Sequence, residues 1–117
     1  MAAYSRQLLS GSTSGKPIPI VATATIGTTI HTATAVGGAF DEIYCWVNNT
    51  SAAAVTMTVE WGAAGTGSQM VTAYSIPANS SSTPITFGQV LNGGLLCTMF
   101  ASVANALNVT GFVNRIV

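Results

Sequence analysis

Charged residues are the scarcest feature of this sequence. Only six of its 117 residues are Asp, Glu, Lys or Arg, and none lies between Glu60 and Arg115. An ordinary soluble domain has about 25% charged residues, most of them on its surface. We therefore expect other protein to cover much of this surface, as in a subunit of a larger assembly.

The few charges are also balanced, with three basic and three acidic residues. Binding to nucleic acid requires clustered Lys and Arg that neutralise phosphates, so we do not expect nucleic acid as a partner. The apolar run over residues 95–113 is interrupted by Thr, Ser and Asn and alternates as a strand does, so we expect no contact with a membrane. Residues 1–14 lack the apolar region of a signal peptide, which favours synthesis in the cytoplasm.

Residues that commonly support catalysis are equally scarce. His31 is the only histidine, and the sequence assigns it neither an acid nor a nucleophile, so we interpret it as a structural imidazole. Asp41 and Glu42 are adjacent and should point to opposite faces of a strand, which suits solvated or interface carboxylates. Two distant cysteines and one histidine are a poor ligand set for zinc. The sequence therefore predicts no enzyme, no cofactor and no metal.

The two cysteines, Cys45 and Cys97, lie in separate apolar runs that alternate as strands do. A reduced thiol packs there as a small hydrophobic group, and a protein made in the cytoplasm keeps its thiols reduced. We expect two buried free thiols, with a disulfide as the alternative.

Short strands dominate the sequence from residue 18 onward. Over Val55–Trp61 the apolar residues occupy one face, while Glu60 and two threonines occupy the other. Phe40–Val47 has bulky side chains on both faces, so we expect it to be covered on both sides. Asn48–Ser51 favours a turn and predicts a hairpin between these two strands, and Gly62–Gly67 predicts a second hairpin loop.

Further strands are predicted on the same grounds of alternation and turn residues. They cover residues 18–25, 28–34, 70–76, 85–91, 95–103 and 107–117. Seven or eight short strands without a convincing helical segment indicate an all-β protein. We predict a single antiparallel β-sandwich or jelly-roll-like domain over residues 18–117.

Residues 1–17 differ in composition from this domain. Ser10–Gly15 is rich in Ser, Gly and Thr, which is typical of a flexible linker. We predict an extended, flexible N-terminal arm that docks on a neighbouring protein, with an ordinary disordered terminus as the alternative. The candidate partner-binding residues are Tyr4, Arg6, Leu8, Leu9 and Lys16.

Five segments together support a comparison with a known group of proteins. They are Ser14–Thr25, Thr28–Ala33, Ile76–Asn79, Gly93–Leu96 and Asn108–Ile116. Their strand and turn pattern resembles the small β-sandwich virion proteins of tailed bacteriophages, especially head decoration or cement proteins. The resemblance implies a homotrimer on the outside of the phage head that binds the major capsid protein and stabilises contacts between capsid subunits.

Two alternatives stay open at this point. A tail, neck or fibre-associated structural protein would use the same type of oligomeric β-sandwich. A carbohydrate-binding module would need aromatic side chains that face solvent. The candidates are Trp46, Trp61, Tyr44, Tyr74 and Phe100.

Overall fold

The fold is all-β, as predicted from the alternation of residues. The structure is a computed structural model that describes residues 3–117, and it contains two antiparallel sheets packed together. The strands are β1 (Tyr4–Leu8), β2 (Ile18–Pro19), β3 (Thr28–Thr32), β4 (Phe40–Asn49), β5 (Val55–Trp61), β6 (Gln69–Ile76), β7 (Thr83–Leu91), β8 (Leu96–Ala101) and β9 (Leu107–Ile116). Among the described residues the only helical element is a 3₁₀ turn at Thr66–Ser68.

The order of the strands is that of a jelly roll. One sheet has the order β1-β9-β4-β7, with β2 also paired to β9, and the other has the order β3-β8-β5-β6. Strands β1 and β2 pair with successive parts of β9 and therefore act as one interrupted strand. With these two counted together, every connection except β5 to β6 crosses from one sheet to the other, as in a double-sheet jelly roll.

The predicted hairpin at Asn48–Ser51 is wrong, because β4 and β5 lie in different sheets. The segment is a corner that carries the chain across the sandwich. Asn49 is buried there, and its amide nitrogen donates hydrogen bonds to the carbonyl oxygens of Ala53 and Ile76. Turn-forming residues favour a reversal of the chain but do not determine which sheet the next strand joins. The second hairpin, with its loop at Gly62–Gly67, is confirmed because β5 pairs with β6.

The core lies between the two sheets, where the inner faces of both meet. In β5 the alternating residues Val55, Met57 and Val59 are buried as predicted, whereas Trp61 on the same predicted face is only partly buried. In β4 the buried side chains are Ile43, Cys45 and Val47, and the opposite face is only partly covered, so the expectation of cover on both sides is wrong. The neighbouring strands β8 and β9 contribute Cys97, Met99, Val109 and Val113 to the same cluster. Both cysteines are free and buried, in agreement with the expectation of reduced thiols.

The N-terminal segment differs from the flexible arm that the sequence predicts. Tyr4 to Leu8 pair with β9 from Ile116 to Phe112, which makes β1 an edge strand of the five-stranded sheet. Leu9 is only 1% exposed and belongs to the core. Burial of Leu9 and the free edge of β9 outweigh the flexibility of the Ser- and Gly-rich linker. Met1 and Ala2, also part of the predicted arm, lie outside the described residues.

We predict that Val59→Asp destabilises the fold by at least about 3 kcal/mol, because it places an unpaired carboxylate in the core. Val59 is 0% exposed in the central strand β5. Urea unfolding followed by circular dichroism measures the change, and Ser75→Asp on the exposed side of β6 is the matched control. Native-like stability of the Val59 variant would mean that the faces of β5 are assigned incorrectly.

We also predict that neither thiol reacts with Ellman's reagent in the folded protein at pH 8. Burial raises the pKa of Cys45 to about 11 and raises that of Cys97 well above its ordinary value. Since the thiolate is the reactive form, the native protein should show negligible reaction, and the protein in denaturant should release two equivalents of chromophore. Rapid reaction of either native thiol would contradict the packing described above.

Candidate interaction surface and buried charges

A buried carboxylate joins the two sheets at one end of the sandwich. Asp41 on β4 is 0% exposed and accepts two hydrogen bonds from Arg115 on β9, at 2.8 Å from Nε and 3.0 Å from Nη2. His31 on β3, in the opposite sheet, lies 2.7 Å from the same carboxylate through Nε2. The backbone N–H of Thr34 donates a further bond at 3.0 Å. The expectation that Asp41 is a solvated or interface carboxylate is therefore wrong.

The hydrogen bonds of His31 define its protonation state. Its Nδ1 lies 3.0 Å from the backbone nitrogen of Ser10. A backbone N–H can only donate, so Nδ1 carries a lone pair and Nε2 carries the proton that it donates to Asp41. Both ring nitrogens are thus occupied by structural partners. This arrangement leaves no lone pair to accept a proton from a nucleophile and agrees with the interpretation of a structural imidazole.

Asp41 is ionised in this network. Burial by itself raises the pKa of Asp41, but the hydrogen bonds from Arg115, His31 and the Thr34 N–H together lower it below the ordinary value. The carboxylate therefore keeps its charge in a dry site because its donors, one of them a cation, replace water.

A second carboxylate is also buried, and within residues 3–117 no cationic side chain pairs with it. Alternation placed Glu60 on the face of β5 away from the core, yet Glu60 is 0% exposed. It accepts hydrogen bonds from the hydroxyl of Thr25, from the backbone N–H of Gly27 at 2.8 Å and from the hydroxyl of Thr98 at 2.7 Å. The segment before β3, which contains Thr25 and Gly27, thus covers the face of β5 on which Glu60 lies. Burial opposes ionisation, but these bonds lower the pKa of Glu60 below its ordinary value.

These two networks reduce the surface charge further than the composition indicates. Asp41 and Glu60 are buried and Arg115 is paired with Asp41. The remaining charged side chains are Arg6, Lys16 and Glu42.

The outward side of the five-stranded sheet contains several exposed apolar side chains. Directly opposed residues on antiparallel strands share a face, and the register places Leu8, Phe112, Tyr44 and Phe87 in one row across β1, β9, β4 and β7. We call this side the outer face. It also contains Tyr4, Arg6, Glu42, Trp46 and Val90. Tyr4, Leu8 and Phe87 are 72%, 56% and 68% exposed.

The aromatic rings of the outer face stack on one another. The ring centroids of Tyr44 and Phe112 are 4.9 Å apart with 19° between their planes, and Trp46 lies 6.0 Å from Phe112. The guanidinium of Arg6 lies 4.4 Å from the Phe112 centroid. Tyr44 reaches over Gly88, where an added Cβ would lie 2.7 Å from the Tyr44 hydroxyl. Because ring faces are occupied by other side chains, the cluster is less suited to sugars, which stack on open faces.

The predicted partner-binding residues separate into three environments. Tyr4, Arg6 and Leu8 lie on β1, the first strand of the outer face. Leu9 is in the core, so it is not available to a partner. Lys16 lies in the exposed turn before β2, where its backbone N–H donates to Thr13. Sequence reasoning did not connect Phe87 and Phe112 with these residues, because only the strand register brings them together.

Comparison with protein families, with curated proteins and with solved structures finds no match to this chain. Across residues 3–117, three or more His, Cys, Asp or Glu side chains do not come together in a group that could hold a metal ion. The same residues form no helix of the length and apolarity needed to cross a membrane.

We predict that Asp41→Asn lowers the free energy of unfolding by about 3 kcal/mol at pH 7, because it leaves Arg115 and His31 without their anion. The folded-state pKa of Asp41 is lowered, so its stabilisation is complete above the ordinary pKa of about 3.9 and is lost as the pH falls through the lower folded value. Urea unfolding between pH 7 and pH 2 should show a smaller acid loss in Asp41→Asn than in the wild type. Glu42→Gln, next in sequence, is the control and should change stability by less than about 0.5 kcal/mol. Equal effects of the two variants would contradict the network.

Proposed function

We propose that this protein is a structural virion protein of a tailed bacteriophage that decorates the head. It binds the major capsid protein on the outside of the capsid and stabilises contacts between capsid subunits. The proposal combines the resemblance of its strand and turn pattern with the scarcity of surface charge. A jelly roll is also a common architecture of viral capsid and lectin domains, although that argument is an analogy at the level of fold.

The observation that carries the proposal is the outer face. Soluble monomers rarely expose a contiguous apolar surface, and large exposed patches mark contacts with other molecules. Here Tyr4, Leu8, Phe87 and Val90 are all more than half exposed on one sheet. We propose that this face contacts capsid protein.

The chemistry of the outer face suits a contact repeated many times on one particle. Apolar and aromatic side chains gain stability on burial, whereas an unpaired charge taken out of water costs free energy. Arg6 and Glu42 are the charged residues of this face, so few charges need a partner in the complex. A protein that binds only the assembled capsid stabilises assembly by mass action.

The oligomeric state is part of the proposal. The resemblance implies a homotrimer, and the apolar side chains outside the outer face, among them Ile26, Leu95 and Leu96, offer further contact surface. Light scattering of the purified protein at micromolar concentration measures its mass. A stable monomer would count against a decoration protein of the trimeric kind.

We predict that the wild type binds empty, expanded phage heads that lack their decoration protein, and that the double variant Leu8→Ser, Phe87→Ser binds at least about tenfold more weakly. The two side chains are exposed, so the variant should keep its native melting, while loss of two apolar contacts weakens docking. Cosedimentation with heads measures binding, and electron microscopy locates the bound protein.

Val103→Ser is the matched control, since Val103 is 51% exposed in the connection between β8 and β9, outside the outer face. Equal binding of the double variant and the wild type would exclude the outer face as the capsid contact. Density at the tail or neck in place of the head surface would move the assignment to another structural protein of the virion.

A further inference from the structure

We propose that residues 3–11 form an acid-sensitive strap whose attachment to the sandwich depends on the protonation state of His31. The N-terminal strap, as we call these residues, consists of Ala3, β1 and Leu9 to Gly11. This inference rests on hydrogen-bond geometry and is independent of the proposed virion function.

The strap contacts both sheets of the sandwich. Its first part pairs with β9, and its last part crosses to β3 in the other sheet. There the N–H of Ser10 donates to Nδ1 of His31 at 3.0 Å, and the N–H of Gly11 donates to the carbonyl of Ile30 at 2.9 Å. The Ser10 hydroxyl accepts a bond from the N–H of Thr32 at 2.6 Å. The imidazole is thus the only titratable group among these contacts of the strap with β3.

Protonation of His31 is incompatible with the bond to Ser10. A second proton would have to sit on Nδ1, where it would face another N–H in place of an acceptor. His31 is only 1% exposed. While the strap is attached, no water molecule can therefore reach Nδ1 and accept a hydrogen bond from this second proton. Attachment therefore requires the neutral ring.

Other groups facing the ring do not remove this conflict. Asp41 attracts a positive imidazole, but Arg115 already pairs with both of its oxygens. The bond to Asp41 uses the Nε2 proton, which is present in both forms of the ring, so it does not supply an acceptor for Nδ1. On β8 the residue opposite His31 is Cys97, a buried thiol with a raised pKa that stays neutral.

Linkage gives the sign of the effect. The ring can take up a second proton only when Ser10 has moved away from Nδ1. The released state then binds one more proton than the attached state, so a lower pH favours release, by up to about tenfold for each pH unit. Asp41 stays ionised in mildly acidic solution because its pKa is lowered. Release uncovers the edge of β9 and the core site of Leu9.

Hydrogen exchange of the full-length protein between pH 7.5 and pH 5 tests the strap. After correction for intrinsic rates, protection of the amides of Ser10 and Gly11 should fall as the pH is lowered, by up to about tenfold per pH unit. Amides of β5, in the centre of the other sheet, serve as the internal control and should keep their protection. Unchanged protection of the strap at pH 5 would overturn the proposal.

Two further measurements separate His31 from other acid effects. Nitrogen NMR of the wild type at pH 7.5 should show an unprotonated Nδ1 and a protonated Nε2, and the opposite tautomer would overturn the proposal without any variant. His31→Gln keeps an acceptor and a donor but does not titrate, so it should abolish the pH dependence of strap protection. A dependence that persists in His31→Gln would assign it to another group and exclude this mechanism.

Discussion

The ionised carboxylate of Asp41 is the interaction on which much of this sandwich depends. It binds Arg115 within its own sheet and His31 in the other, and His31 in turn holds the N-terminal segment through Ser10. One buried anion thus connects β4, β9, β3 and the start of the chain. Such a site is unfavourable unless every donor is in place. The network therefore selects one arrangement of these elements, because any shift in register leaves a charge without its partner.

The alternation of apolar and polar residues predicted the strands well, because it indicates which face of a strand is buried. The buried face of β5 followed from Val55, Met57 and Val59, and the all-β class followed from the number of such alternating runs. The corner at Asn48–Ser51 was misread because turn residues act locally, whereas the choice of sheet depends on long-range pairing. The N-terminal segment was misread for a related reason. Composition describes the flexibility of Ser10–Gly15, but the free edge of β9 and the core site of Leu9 exist only in the folded protein.

The candidate surface could be predicted only in part. Tyr4, Arg6 and Leu8 are candidate partner-binding residues from the sequence, and they lie on the outer face. Their neighbours Phe112, Tyr44 and Phe87 come from distant parts of the chain, so no local pattern could join them. The buried carboxylates were missed for the same reason. Nothing in the residues around Asp41 or Glu60 indicates that Arg115 and Thr98 will be supplied from β9 and β8.

The burial of Asp41 and Glu60 affects how copies of the protein interact in solution. With a formal net charge of zero and only Arg6, Lys16 and Glu42 left outside the buried networks, copies in solution have almost no mutual repulsion. Encounters between free copies are therefore limited by diffusion and not by charge. Because a net charge near zero promotes association and precipitation, we expect copies of this protein to associate as their concentration rises.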